Sequence, residues 1–134
     1  MPTEADFKRA IVRQLLFEGG FGRRIEDKFA VGSLDMLLIT PKYAIYAEAK
    51  LLKGIATLPA SVAQRHQIRL VNEVSNPYCH ALVMGLKDKE VGFGLPGERW
   101  NEHYRMGWPT TNLIGHLNAA VMSVFKYKWE GELA

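Results

Sequence analysis

Two carboxylates and a lysine carry the chemistry this sequence offers. They lie in Gly32-Ser33-Leu34-Asp35 and, after twelve intervening residues, in Glu48-Ala49-Lys50. Glu48 and Lys50 are two apart in a predicted strand, so both side chains leave the same face of a sheet. Pro41-Lys42 reads as a turn between antiparallel strands. A two-residue loop pairs Thr40 with Tyr43, and a four-residue loop pairs Ile39 with Ala44. Both registers set Asp35 directly opposite Glu48, with Cβ atoms roughly 4.5–5.5 Å apart. A three-residue loop would instead pair Asp35 with Ala47 or Ala49 and turn it to the other face. Convergent carboxylates repel unless a positive charge sits between them. A hard divalent cation such as Mg²⁺, bound by carboxylates, other oxygens and water, is the usual occupant. Such an ion acidifies a bound water and offsets charge on a phosphodiester oxygen. Lys50 would orient or help deprotonate the attacking water and favour the phosphorane-like transition state. These residue types suit phosphodiester hydrolysis at one strand end. The competing reading is an exposed ion pair, worth about 0–1 kcal/mol. Against it, Glu48 and Lys50 follow the otherwise apolar run Tyr43-Ala44-Ile45-Tyr46-Ala47.

The elements that must position these groups follow from periodicity. A helix is predicted from Glu4 to Glu18, capped by Thr3 with Asp6 three residues on, burying Phe7, Ala10, Ile11 and Leu15. Gly19-Gly20 stops it. Glu4 precedes Phe7 by three and Ile11 by seven, so it falls on the apolar side. Arg24 to Val31 reads as a strand interrupted by Gly32-Ser33, Leu34 to Thr40 as a second strand or its continuation, and Tyr43 to Leu51 as a third. Pro59 suits the first turn of a helix reaching about Val74, ended by Asn76-Pro77. Cys79 to Leu86 reads as a buried strand, Asp88-Lys89 as a turn, and Val91 to Leu95 as a strand. Residues Pro96 to Pro109 read as irregular, and Asn112 caps a last helix to about Lys126. This is an α/β order, with a mixed central β-sheet flanked by helices.

Length and composition bound the rest. At 134 residues the chain has room for one domain, and 48% apolar with 23% charged residues is ordinary for a globular protein. No apolar run approaches the roughly 20 residues needed to span a bilayer. The N-terminus places acids where a signal peptide has basic and apolar regions. The single cysteine, Cys79, cannot form an internal disulfide, and no Cys/His cluster has zinc spacing, which predicts a reducing, cytoplasmic setting. A net charge of +3 permits nucleic-acid binding without demanding it.

The run Gly32-Ser33-Leu34-Asp35 and Glu48-Ala49-Lys50 resembles the PD-(D/E)xK nuclease signature. With Arg24-Ile25-Glu26, Gly32 and Gln64 added, it is similar to small phage-borne VRR-NUC enzymes, relatives of Holliday-junction resolvases. The similarity runs from Glu4 to about Leu86. It implies a restriction-endonuclease-like core and Mg²⁺- or Mn²⁺-dependent cleavage of DNA, most naturally branched DNA, in the host cytoplasm if phage-encoded. Asp35, Glu48 and the main-chain carbonyl of Ala49 would hold the metal. Lys50 would be the catalytic lysine, and Glu4 the helix acid touching the metal directly or through water. Gln64, or Gln67 one turn on, would be the active-site glutamine. Leu34 replaces the proline of the signature, a residue that shapes backbone. A homodimer would supply the two cuts a symmetric junction needs. Two further readings are a nickase or general duplex endonuclease, and a non-catalytic binding or inhibitor protein that keeps a nuclease fold.

Arg24, Lys53, Arg65 and Arg69 are candidate contacts to DNA phosphates. The plainer reading makes Arg65, His66, Gln67 and Arg69 the solvated face of an amphipathic helix. Trp100, Tyr104 and Trp108, interleaved with Arg99, His103 and Arg105, suit packing or an interface better than base stacking.

Overall fold

Thr3 starts the first helix as the spacing predicts. Its hydroxyl accepts from the Asp6 amide at 3.1 Å, and the Asp6 carboxylate accepts from the Thr3 amide at 3.0 Å. The helix, α1, spans Glu4–Phe17 and buries Phe7, Ile11 and Leu15. Gly19 then takes φ +90°. Its amide reaches Leu16 O and that of Gly20 reaches Leu15 O, the paired bonds of a Schellman stop. The computed structural model describes residues 3–25, 34–54, 57–74, 77–99 and 104–133, with side chains in the last helix described through Phe125.

The six strands are β1 (Phe21–Arg24), β2 (Met36–Ile39), β3 (Ala44–Leu51), β4 (Cys79–Lys87), β5 (Glu90–Gly94) and β6 (Arg105–Gly107). They form one sheet in chain order. Every neighbouring pair is antiparallel except β3 and β4. A parallel pair needs a crossover, and α2 (Val62–Val74) supplies it. The last helix, α3, spans Leu113–Leu133. The sheet is mixed and flanked by helices, the α/β arrangement the sequence predicts.

The two faces of β3 separate the molecule's contents. Ile45, Ala47 and Ala49 pack into the larger core with α1 and α3, among Phe7, Ile11, Leu15, Leu117 and Phe125. Tyr46 and Leu52 pack with Ile68 of α2, Leu58, Ala81 and Val83. Glu48 and Lys50 share the parity of Tyr46 and Leu52, so they belong to the α2 side.

Four expectations shift. A strand already runs from Phe21 to Arg24, and of the expected Arg24 to Val31 only Arg24 and Ile25 are described. Gly22 makes the earlier start workable, since a Cβ there would lie 3.2 Å from Val12 Cα of α1. Residues 26–33, including Glu26, Lys28, Gly32 and Ser33, lie outside the described ones. Secondly, α2 starts at Val62 and not at Pro59. Ser61 caps it, its hydroxyl accepting from the Gln64 amide at 3.1 Å. The preceding segment is instead tied to 97–98 by Leu58 N to Glu98 O and Gly97 N to Leu58 O, both 2.9 Å. Thirdly, the stretch expected to be irregular contributes β6, whose Met106 is buried opposite Val91. Lastly, α3 runs past Lys126 to Leu133.

The α3 start is capped from a distance. Both Glu18 carboxylate oxygens accept main-chain amides, of Leu113 at 2.8 Å and Ile114 at 2.9 Å, while Asn112 Oδ1 accepts from Gly115 N at 3.2 Å. Burial pushes the Glu18 carboxyl up, but these amides and Gln14 outweigh it and hold it below the usual range. A carboxylate at a helix N-terminus also faces the positive end of the helix dipole. Glu18→Ala is therefore expected to cost about 1–2 kcal/mol in urea unfolding. A loss within 0.3 kcal/mol would mean that Asn112 suffices as the cap.

Candidate active site

The β2–β3 ladder ends at Met36 opposite Ala47, so β3 overhangs β2 from Glu48 to Leu51. One step beyond the last pair, Asp35 stands across from Glu48. The register is the even-loop one. Thr40 locks it, its buried hydroxyl accepting from Lys42 N at 3.2 Å and Tyr43 N at 3.0 Å and donating to Asn118 Oδ1 at 2.8 Å. Asp35 is held from the other side by its own carbonyl, which accepts from Ile25 N at 2.7 Å.

The first turn of α1 brings in Glu4. One carboxylate oxygen each of Glu4, Asp35 and Glu48 lie within 4.8 Å of one another. Glu48 is completely buried, and beyond Lys50 and the neighbouring Asp35 carboxyl no hydrogen bond from the described residues satisfies its oxygens. Its close partner is a charge: Lys50 Nζ lies 3.2 Å from Oε1. Burial, and then the neighbouring Asp35 carboxyl, push the Glu48 carboxyl up to about 8, with Lys50 pulling the other way. Burial also pushes Asp35 up. Glu48 carrying the proton and the ammonium of Lys8 outweigh that and hold Asp35 below the usual carboxylate range. At neutral pH the pair thus holds one proton, as expected of two carboxyls too close to ionise together.

Lys8 is the member of the site that the sequence reading missed. Its Nζ lies 2.7 Å from Asp35 Oδ2 and 3.4 Å from Glu4 Oε1, and its side chain is only 13% exposed. Burial pulls this ammonium down, but Asp35 and Glu4 more than compensate and hold it above the ordinary lysine value. The available signal was its spacing: position 8 is one helical turn after Glu4, on the same side of α1.

The remaining candidates distribute as follows. Ala49 lies in the β3 overhang between Glu48 and Lys50. Gln64 closes a capping box on α2, its Oε1 accepting from Ser61 N at 2.9 Å. That use engages the side-chain oxygen in a local role the sequence reading did not anticipate. Gln67 is exposed on the same helix. Arg24 ends β1 opposite Met36, next to Asp35. Lys53 lines a cavity of about 740 Å³ with Leu51, Leu52, Lys87, Lys89 and Trp108. Arg65 and Arg69 line a different hollow, of about 560 Å³, with Ile68, Leu95 and Phe125. None of the three carboxylates lines either hollow. His66 is exposed and pairs with Arg69 at 3.1 Å, as a solvated helix face predicts. Trp108 packs edge-on against Phe7, centroids 5.7 Å apart, and Tyr104 bonds to His116, so both serve packing. Trp100 and His103 lie outside the described residues.

A hard divalent cation fits this donor set. All three side-chain donors are carboxylates, and the buried Glu48 carboxyl faces into the cluster. A buried carboxyl without its full hydrogen bonds is costly unless a ligand completes it.

No known family profile matches the sequence, and no curated protein does either. The fold does have a solved counterpart. The chain is similar to the Holliday junction resolvase Hjc of the archaeal hyperthermophile Archaeoglobus fulgidus, with a TM-score of 0.51 and 12% identity over 90% of this chain and 89% of that one. The architecture is thereby that of the resolvase fold. Among the described residues, no helix is long and apolar enough to cross a membrane.

Proposed function

We propose that this protein is a divalent-metal-dependent endonuclease acting on branched DNA, four-way junctions above all, as a homodimer. The observation that carries the proposal is the convergence of Glu4, Asp35 and a fully buried Glu48 carboxyl beside Lys50. Likeness of fold to a Holliday junction resolvase supports the substrate class. In this reading Mg²⁺ or Mn²⁺ supplies Lewis acidity toward a phosphate oxygen and a water made acidic enough to attack. Asp35, Glu48 and the Ala49 carbonyl hold the ion, and Glu4 does so directly or through water. Lys50 orients the attacking water, and its fixed charge opposes the negative charge that grows on the phosphate. The side-chain nitrogen of Gln64 is the part of that residue free of the cap and suited to hold substrate. Arg24, at the end of β1 next to Asp35, and Lys53, just past the end of β3, engage backbone phosphates. Arg65 and Arg69 contact DNA farther out along α2. One active site per chain makes two chains the natural unit for two symmetric cuts.

The test is cleavage of end-labelled four-way junction, flap, linear duplex and single strand, each with Mg²⁺, Mn²⁺ or EDTA. Metal-dependent cutting of the junction in preference to duplex is the expected result. Equal cutting of all duplexes would move the assignment to a general endonuclease or nickase. No cutting by folded, metal-supplied protein would favour a non-catalytic DNA- or protein-binding role.

A further inference from the structure

Lys8 occupies one edge of the acidic triangle. Its ammonium bridges Asp35 Oδ2 and Glu4 Oε1, while Lys50 faces Glu48 Oε1. Among the described residues, neither edge that meets at Glu48 has a bridging cation, and of the two the Asp35–Glu48 edge joins carboxyls that face each other across the β2–β3 register. There the Glu48 carboxyl is fully buried, with Lys50 at Oε1 as its single cationic neighbour among those residues. We infer that Lys8 is a built-in cation that stands in place of a second metal ion, so that the site binds one divalent ion per chain, on the Asp35–Glu48 edge. The inference rests on reading the cluster as a metal site.

Charge and space both lead there. Three carboxylates carry three negative charges, and Lys8 with Lys50 returns two positive ones. One divalent ion then leaves the site at plus one, matched to the single negative charge of a phosphodiester. A second ion would have to share Asp35 and Glu4 with an ammonium already in contact with them, and like charges at such separations repel strongly in a partly buried site. Little solvent reaches Lys8, so water screens that repulsion poorly. Glu4, held by Lys8, would then reach the ion through a water. Lys8 is a positioning residue in this scheme, since it touches ligands and not the reacting phosphate.

Mn²⁺ titration of the full chain, followed by calorimetry and by electron paramagnetic resonance of free Mn²⁺, counts the ions directly. Wild type is expected to bind one per chain. Lys8→Met, similar in length but neutral, is expected to bind two, and Lys8→Arg to stay at one. Lys8→Gln provides a second neutral variant if the methionine disturbs the helix, and thermal melts identify which variants are folded. Two ions in wild type, or one ion in every folded neutral variant, would overturn the inference while leaving the nuclease reading intact. A folded wild type that binds no Mn²⁺ would overturn both.

Discussion

Lys50→Ala is expected to reduce cleavage of the preferred DNA by about 10²–10⁴-fold while leaving substrate binding within a few-fold of wild type. That range is what positioned proton-transfer and charge-stabilising groups supply in enzymes generally. The geometry motivates the split between rate and affinity. Lys50 sits 3.2 Å from a wholly buried carboxylate, on the β3 overhang, with its side chain about one third exposed. It reaches the place where charge changes during hydrolysis, and it is one cation among several that a DNA backbone would meet. Single-turnover cleavage alongside gel-shift measurements in Ca²⁺ separates the two effects. A variant that cuts within threefold of wild type would remove Lys50 from the chemistry. One that loses binding and cutting in parallel would make it a phosphate contact. Lys50→Arg distinguishes charge from shape, since a guanidinium keeps the charge but stays protonated and cannot help deprotonate water.

Glu48→Gln is expected to stabilise the metal-free protein at pH 8 by about 2–4 kcal/mol while abolishing stabilisation by metal. The sign follows from the raised carboxyl. Glu48 titrates near 8 in the folded chain and at its ordinary 4.5 when unfolded. Between those values the native state holds a proton that the unfolded chain releases. Its contribution is complete below pH 4.5, falls as pH rises through the window, and is gone above 8. The slope approaches about 1.4 kcal/mol per pH unit for one whole proton, and sharing with Asp35 reduces it. An amide of the same shape never acquires the buried charge, so the variant's stability should be flat over this window. Metal displaces the proton, so affinity for Mg²⁺ should climb with pH up to about 8 in wild type. At a hundredfold excess over its Kd the ion should add about 2.7 kcal/mol. Urea unfolding from pH 5 to 9, with and without Mg²⁺, tests all of this at once. Parallel pH profiles for wild type and variant would show that Glu48 does not hold the proton in the native state.

The core triad was legible in the sequence because strands have a period of two and hairpin loops of even length preserve it. Glu48 and Lys50 share a face from their spacing alone, and an even turn after Thr40 is enough to set Asp35 opposite Glu48. Thr40 itself, through its hydroxyl bonds to Lys42 and Tyr43, is the local chemistry that selects that turn. The limits of α1 were equally readable, because capping boxes and glycine stops are written within a few residues of one another. Other features depend on contacts between segments far apart in the chain. Lys8 looks like any surface lysine until α1 is laid beside Asp35, and the cap that Glu18 places on α3 joins residues 95 apart in the chain. The edge strand β6 carries a weak pattern over three residues and exists because β5 offers it a ladder. Gln64 has the residue type that the resemblance asks for, yet its oxygen is engaged by the nearby Ser61 amide. The sequence by itself determined which groups could do the chemistry and which strand faces they leave. Tertiary structure decided how their charges are balanced, because burial and the approach of α1 to the β3 overhang set which carboxyl keeps a proton and which lysine answers it.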